Sequence, residues 1–195
     1  MDYPTMRRLL KGSKVGIAGA GGLGSNIAVS LARTGIGGLL IVDFDRVERS
    51  NLNRQYYFED QIGRPKVEAL KENIKRIGYG TKVEVMDIRL EKGSMHEPFK
   101  EMDVVVEALD SAQSKADLIK DVLKNLNDMP VVAASGVAGF GKSERIELER
   151  FGNLHLVQDH QARSSNEDIL TAPRVGLFAH YQANIVLEIL LEGRY

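Results

Sequence analysis

Apolar positions along the chain fall into two rhythms. Short runs of consecutive apolar residues mark strands buried on both faces. Between them, apolar residues recur every three or four positions, as on helices with one buried face. The first run is Lys14-Val15-Gly16-Ile17-Ala18. Glycines follow, and then Leu23, Ile27 and Leu31 share one helical face, with Gly35 placed to close the helix. Leu39-Leu40-Ile41-Val42 predicts a second strand, ending in Asp43-Phe44-Asp45. Residues 46–63 are polar and read as loop. Pro65 suits a first helical position, with Val67, Leu70, Ile74 and Ile77 as the apolar stripe. Weak alternation over 83–86 predicts a third strand. Val104-Val105-Val106 predicts a short buried strand ending near Asp110, and Leu118, Ile119, Val122, Leu123 and Leu126 another helix. Val131-Val132-Ala133-Ala134 is the next strand. This order of βαβ units predicts an α/β fold: a Rossmann-like, mostly parallel sheet flanked by helices.

Past Gly141 the rhythm loosens. Alternation over 145–148 and 154–157 predicts extra antiparallel strands in the second half. Residues 158–171 read as a polar loop, and 175–191 as an apolar helix packed on the sheet. Its face of Val175, Phe178, Ile185, Leu187 and Leu190 reads as core or dimer interface. No repeat, low-complexity segment or linker divides the chain, so residues 1–195 are read as one domain.

Charge and composition narrow the function. The chain of 195 residues carries 26 lysines and arginines against 27 aspartates and glutamates, a net charge of −1. That balance argues against a nucleic-acid binder. No apolar run approaches the roughly 18 residues of a membrane span, and no signal-peptide core follows the first residues. With no cysteine, the chain has no disulfide, no Cys-ligated zinc and no thiol chemistry of its own. The cytoplasm is the expected location.

The glycines between the first strand and helix carry the first chemical signal. Gly19-Ala20-Gly21-Gly22-Leu23-Gly24 fits G-x-G-x-x-G in its strand–helix setting. The first glycine permits a tight turn, the second lets backbone approach a phosphate, and the third lets helix and strand pack closely. The helix N-terminus then offers free N–H groups to an anion. Asp43, 19 residues after Gly24, ends the next strand, where a carboxylate meets ribose hydroxyls. Alone, this pattern predicts an adenine nucleotide or dinucleotide.

The polar stretch adds what a dehydrogenase leaves unexplained. Asn51 and Arg54 follow the ribose acid, and Arg is a two-pronged clamp for phosphate. Lys66 opens the next helix as a second phosphate cation. Asp110 stands at the edge where open α/β sheets bind ligands. Two cations and a carboxylate around one nucleotide predict chemistry at a triphosphate, with the carboxylate holding Mg²⁺. The plainer readings are a salt bridge for Arg54, a solvated helix face for Lys66, and a helix cap for Asp110 or Ser111.

Taken together, Gly19-Ala20-Gly21-Gly22-Leu23-Gly24-Ser25, Asp43-Phe44-Asp45, Ser50-Asn51-Leu52-Asn53-Arg54-Gln55, Gly63-Arg64-Pro65-Lys66 and Ala108-Leu109-Asp110 closely resemble the ThiF/MoeB/HesA family, relatives of the ubiquitin-activating enzymes. The short, cysteine-free form is most similar to the second ThiF subfamily of thiamine biosynthesis. The resemblance runs from about Lys14 to Gly141 and resumes at Ala172-Pro173-Arg174-Val175-Gly176. It implies an ATP-dependent adenylyltransferase that activates the C-terminal glycine carboxylate of a small ubiquitin-like sulfur carrier ending in Gly-Gly, releasing pyrophosphate. By motif it places Gly21 and Gly22 at the nucleotide and Asp43 at its ribose, with Gly19, Leu23 and Asp45 as further nucleotide-binding residues. Asn51, Arg54 and Lys66 fall at the phosphates, and Asp110 at Mg²⁺, with Arg54, Lys66 and Asp110 catalytic. It also implies a homodimer in which an N-terminal arginine, Arg7 or Arg8, enters the partner's site.

The chain departs from the family pattern in its missing cysteines and at one basic position. It lacks the two Cys-x-x-Cys pairs of many relatives, so no zinc is expected. It also lacks the crossover cysteine, so sulfur must come from a separate donor protein. Lys115 stands where the family often has Arg, keeping the charge and losing the fork. His155, Asp159 and His160 match no strong metal signature, and Ser165 lacks a hydrolase setting. Two rivals stand beside adenylation: an NAD-dependent oxidoreductase, which leaves Arg54 and Lys66 idle, and a nucleotide-binding scaffold without turnover.

Overall fold

The computed structural model describes residues 1–164 and 167–192. Its strands are β1 (Lys14–Ala18), β2 (Gly38–Asp43), β3 (Lys82–Asp87), β4 (Val104–Glu107), β5 (Val131–Ser135), β6 (Glu147–Phe151) and β7 (Leu154–Gln158). Its helices are α1 (Tyr3–Leu10), α2 (Gly22–Thr34), α3 (Lys66–Ile77), α4 (Ala112–Asn125) and α5 (Ala172–Leu191). The strands form one sheet in the order β3-β2-β1-β4-β5-β7-β6. Every neighbouring pair is parallel except β6–β7. The order reverses at β1, which lies between β2 and β4, and such a switch point opens a crevice at the C-terminal ends of the strands.

The central strands read as unbroken apolar runs because both faces are covered. On one face, Val15, Ile17, Leu39, Ile41, Val106 and Val132 pack with residues of α2, α3 and α5. On the other, Ala18, Val42, Val105 and Val131 pack with Leu118 and Val122 of α4 and with Phe99. Gly16 makes room for that phenylalanine: a Cβ there would sit 2.4 Å from the Phe99 ring. β3 alternates only weakly because it is an edge strand with no fully buried position. Gly35 closes α2 in the left-handed conformation, as its position predicts.

Three readings of the sequence are corrected. Pro65 caps α3 from outside, and the helix starts at Lys66. The strand expected over 145–148 is β6 at Glu147–Phe151, because residues 143–145 form a 3-10 turn entered from Lys142 at positive φ. Only β6 is antiparallel: it joins β7 through Gly152-Asn153, with Gly152 at φ +58, while β7 runs parallel to β5. The apolar face of α5 is core, with Val175, Phe178, Ile185 and Leu190 all buried. The apolar pattern does not predict helix α1, although Asp2 accepts the Thr5 N–H at 2.9 Å and Pro4 sits in the first turn. Among the described residues no helix is long and apolar enough to cross a membrane.

One buried ion pair ties the second half to the sheet. The Arg174 guanidinium, 3% exposed, donates to Asp159 at 2.6 Å and to the carbonyls of Ala138, Gly141 and Gly136. Burial opposes ionisation of Asp159. Hydrogen bonds from the Gln161 N–H and Arg174 outweigh it and hold the carboxyl below its ordinary 3.8. A depressed acid stabilises the fold above its unfolded pKa, and that stability fades as pH falls through the folded value. Arg174→Met strands the carboxylate and three carbonyls, so it should cost about 3–5 kcal/mol near pH 7 by urea unfolding. The gap from wild type should narrow below 3.8. A gap that holds constant with falling pH would show that the charge pair is not its source.

Candidate functional site

The three motif glycines have different duties. Gly19 has φ +102, and a Cβ there would lie 2.4 Å from the Ala108 carbonyl oxygen. Turn and β4 therefore touch backbone to backbone. A Cβ on Gly24 would lie 1.9 Å from the Gly19 oxygen, so only glycine lets α2 start against the end of β1. Gly21 is different: a Cβ would meet only the Gln55 amide nitrogen, at 3.9 Å. The protein does not fill that space, which lies at the N-terminus of α2, where an anion is favoured. A Cβ on Gly22 would lie 3.1 Å from Val175, so the start of α5 walls the same turn, while Leu23 is buried in the core.

The turn is clamped from two sides. Asp43 accepts the Ala20 N–H at 2.6 Å through one oxygen and the Asp45 N–H at 2.7 Å through the other. The buried Tyr57 hydroxyl donates to the Ala20 carbonyl at 2.6 Å. Burial first, and the Asp43 and Asp45 charges second, push the Tyr57 phenol well above its ordinary value, so it stays a donor. Each Asp43 oxygen keeps a further lone pair for a ribose hydroxyl.

The polar stretch folds back against this turn. Ser25 Oγ donates to the Gly21 carbonyl and accepts the Tyr56 N–H, and Asn26 donates to the carbonyls of Gly22 and Arg54. Asn51 is buried and accepts the Glu48 N–H, so it shapes the loop here. Arg54 runs beside Gly22, with its Cγ 3.9 Å from a Cβ placed there. Its guanidinium donates to the Ser50 carbonyl at 3.0 Å and to Asn53 Oδ1 at 2.7 Å. Lys66 is buried, with its amine 2.8 Å from Asp45. Neither cation is on an open helix face, and both are held by neighbours a phosphate would have to replace or join.

Asp110 completes the edge. Ser111 caps α4 by accepting the Ser114 N–H, which releases Asp110 from that task. Asp110 is exposed, and among the described residues its carboxylate has no hydrogen bond or ion pair. Mg²⁺ is typically held by one or two carboxylates together with substrate phosphates. A single open carboxylate beside the turn fits an ion that arrives with a nucleotide. Among the described residues no cluster of three or more His, Asp or Glu stands ready for a metal.

Arg7 and Arg8 lie elsewhere within one chain. The Arg7 guanidinium stacks 4.7 Å over the Tyr79 ring and donates to the Tyr79 carbonyl, next to Gly35 at the foot of the sheet. Arg8 is exposed on α1. The triad of His155, Asp159 and His160 does not assemble: Asp159 pairs with Arg174 and His160 with Glu149. Ser165 lies outside the described residues.

Sequence reasoning missed Tyr57 and the fully buried Glu107, whose carboxylate meets Lys115. A charged residue ending the run Val104-Val105-Val106-Glu107 was the available signal.

A glycine turn at the switch point of a parallel sheet, with the Asp43 carboxylate, two cations and the open Asp110 carboxylate around it, defines a Rossmann-like α/β protein. The ThiF family model matches residues 3–194, and the chain belongs to the ThiF family. It is 28% identical over 188 residues to the molybdopterin-synthase adenylyltransferase of Haemophilus influenzae, covering 94% of this chain and 76% of that protein. It is 39% identical over 134 residues to the adenylyltransferase and sulfurtransferase MOCS3 of Caenorhabditis briggsae, 68% of this chain and 33% of that one. It is 32% identical over 148 residues to the tRNA threonylcarbamoyladenosine dehydratase of Bacillus subtilis, 75% of this chain and 58% of that one. The chain thus spans between a third and about three fifths of the length of the last two relatives. In fold it matches the E. coli tRNA N6-threonylcarbamoyladenosine dehydratase TcdA in complex with ATP. The TM-score is 0.86 at 24% identity, covering 95% of this chain and 88% of that one.

The glycines make separable predictions. Gly21→Val should fold normally and weaken ATP binding at least about tenfold by calorimetry, a difference of ~1.4 kcal/mol. Gly24→Ala should instead lower the thermal midpoint. Wild-type ATP affinity in Gly21→Val would remove the turn from the binding site.

Proposed function

We propose that the chain is an ATP- and Mg²⁺-dependent adenylyltransferase that activates the C-terminal glycine carboxylate of a small ubiquitin-like sulfur carrier ending in Gly-Gly. The observation that carries this reading is the pairing of an unfilled Gly21 with an unpartnered Asp110, on loops that touch at Gly19 and Ala108. The adenylyltransferases among its relatives support it.

The chemistry suits these groups. The acceptor carboxylate is already ionised at neutral pH, so no general base is required. One of its oxygens attacks the α-phosphorus. The bond from that phosphorus to the bridging oxygen breaks, and pyrophosphate leaves with the electron pair. The barrier is anion meeting anion, so positioning and neutralisation supply most of the catalysis. The α2 N-terminus takes the phosphates, Asp43 holds the ribose, and Arg54 and Lys66 take up charge on the departing pyrophosphate. Mg²⁺, held by Asp110, would screen the same oxygens.

In this reading the protein is a cytoplasmic homodimer, with Arg7 or Arg8 reaching into the partner's site. Sulfur comes from a separate donor protein, because this chain has no cysteine. A second reading takes its support from the tRNA threonylcarbamoyladenosine dehydratase relative, and makes a tRNA nucleoside the acceptor. The net charge of −1 favours the protein acceptor.

Pyrophosphate–ATP exchange separates these readings. Labelled pyrophosphate should enter ATP only when a Gly-Gly carrier is added, and Asp110→Asn should abolish exchange without unfolding the protein. Exchange that needs tRNA moves the acceptor to the nucleoside. No exchange with either, despite tight ATP binding, leaves a scaffold. Tight NAD binding without ATP binding returns the oxidoreductase.

A further inference from the structure

Glu107 is the least expected charge in the molecule. It ends β4 with no exposed surface, three residues before Asp110. Its two oxygens lie 3.0 and 2.9 Å from the Lys115 amine, and one also accepts the Leu109 N–H at 2.7 Å. Its own carbonyl accepts from Gln182 of α5 at 3.2 Å. Lys115 sits in the first turns of α4, with its side chain 20% exposed. Burial raises the Glu107 carboxyl, and the Lys115 amine and Leu109 N–H pull it back part of the way.

Stability is a weak account of this pair, since an apolar pair of similar volume in such a place is often as stable or more so. Geometry is a stronger one. The loop from Ala108 to Ser111 joins β4 to α4, and the ion pair bolts the strand directly to the helix across it. Within the loop, Ala108 is buried, Leu109 is held by Glu107, and Ser111 caps α4. Asp110 alone has its carboxylate left over. Its backbone is fixed from both sides while its side chain stays open.

We propose that Glu107 and Lys115 are a positioning pair that aims Asp110 at the Mg²⁺-bearing phosphates of the nucleotide. This rests on the reading of Asp110 given above. The pair neutralises itself, so it adds no net charge beneath the site, and it transmits its effect only through the loop. Lys115 keeps this contact with one amine bridging both carboxylate oxygens.

The test is the factor by which Mg²⁺ tightens ATP binding, measured by calorimetry with excess Mg²⁺ and again with excess EDTA, and with adenosine as a phosphate-free control. Asp110→Asn should collapse the Mg²⁺ factor. Glu107→Gln should reduce it about tenfold while leaving adenosine affinity at the wild-type level, as misdirected metal ligands do. Lys115→Arg, which can still bridge the two oxygens, should retain it. Should Glu107→Gln fail to fold, Glu107→Asp keeps the charge but draws the contact back by one methylene, and should lower the same factor. A wild-type Mg²⁺ factor in the folded Glu107 variant, beside a collapsed one in Asp110→Asn, overturns the proposal. A wild-type factor in Asp110→Asn overturns the reading of the site itself.

Discussion

The backbone of Ala20, shared by two successive peptide planes, is the constraint on which the candidate site depends. Its N–H is held by Asp43 and its carbonyl by Tyr57, each at 2.6 Å. Those two bonds fix the plane of the turn, and with it the direction of the N–H groups at the start of α2. Gly19 and Gly24 make the clamp sterically possible, because a Cβ at either would collide with backbone. Preorganised donors do not have to reorient when charge develops, and in many enzymes this accelerates the reaction more than any other single effect. Asp43 holds the turn through both oxygens, each of which keeps a further lone pair. A nucleotide would find this shape already made.

Charge around the edge is almost fully allocated. Lys66 is paired with Asp45, Lys115 with Glu107, and Arg174 with Asp159. Arg54 is occupied by a carbonyl and an amide oxygen, both neutral. The two candidate phosphate cations are therefore held with different strength. Lys66 faces a carboxylate, so a phosphate gains from it by joining the pair. Arg54 gives up only neutral acceptors, and a phosphate oxygen is the stronger partner for a guanidinium. Of the two, Arg54 is the one held only by neutral acceptors, and Lys66 the one held by an opposite charge.

Much of the fold was legible because buried parallel strands write themselves as unbroken apolar runs. Strands β1, β2, β4 and β5 lie where such runs fall, and Gly35 marks the end of α2. The hairpin of β6 and β7 was harder. Gly152-Asn153 was present as a turn signal, but half-buried strands at a sheet edge alternate weakly, and the strand expected over 145–148 fell short of Phe151. Helix α1 escaped because only Leu10 of its eight residues is buried. Within the candidate site, the glycine turn and the polar loop that folds against it were legible, since glycine spacing and loop polarity show in the sequence itself. The residues that hold those groups were not. Tyr57 looks like any aromatic after a polar stretch, and Glu107 like the end of a strand. Their roles come from partners 37 and 8 residues away, and a single sequence does not pair such positions.

The absence of cysteine sharpens what this site must do if it makes an acyl adenylate. A thiol would let the enzyme trade the mixed anhydride for a covalent thioester and release AMP. This chain has no thiol, so the activated acyl group stays on the phosphate until an external nucleophile takes it. In the proposed reaction the intermediate would be held by the contacts assigned to the nucleotide: the α2 N-terminus, Asp43 and the cations. Its lifetime depends on how well those contacts exclude water from the acyl carbon. Val175 lies against Gly22 at the start of α5, and Arg174 beside it pins the carbonyls of Ala138, Gly136 and Gly141. The helix that walls the glycine turn is thus fastened to the loop from Gly136 to Gly141. That fastening is rigid and buried, and it sets an ion pair out of water in the second half of the chain. A site without covalent storage has reason to keep that wall fixed.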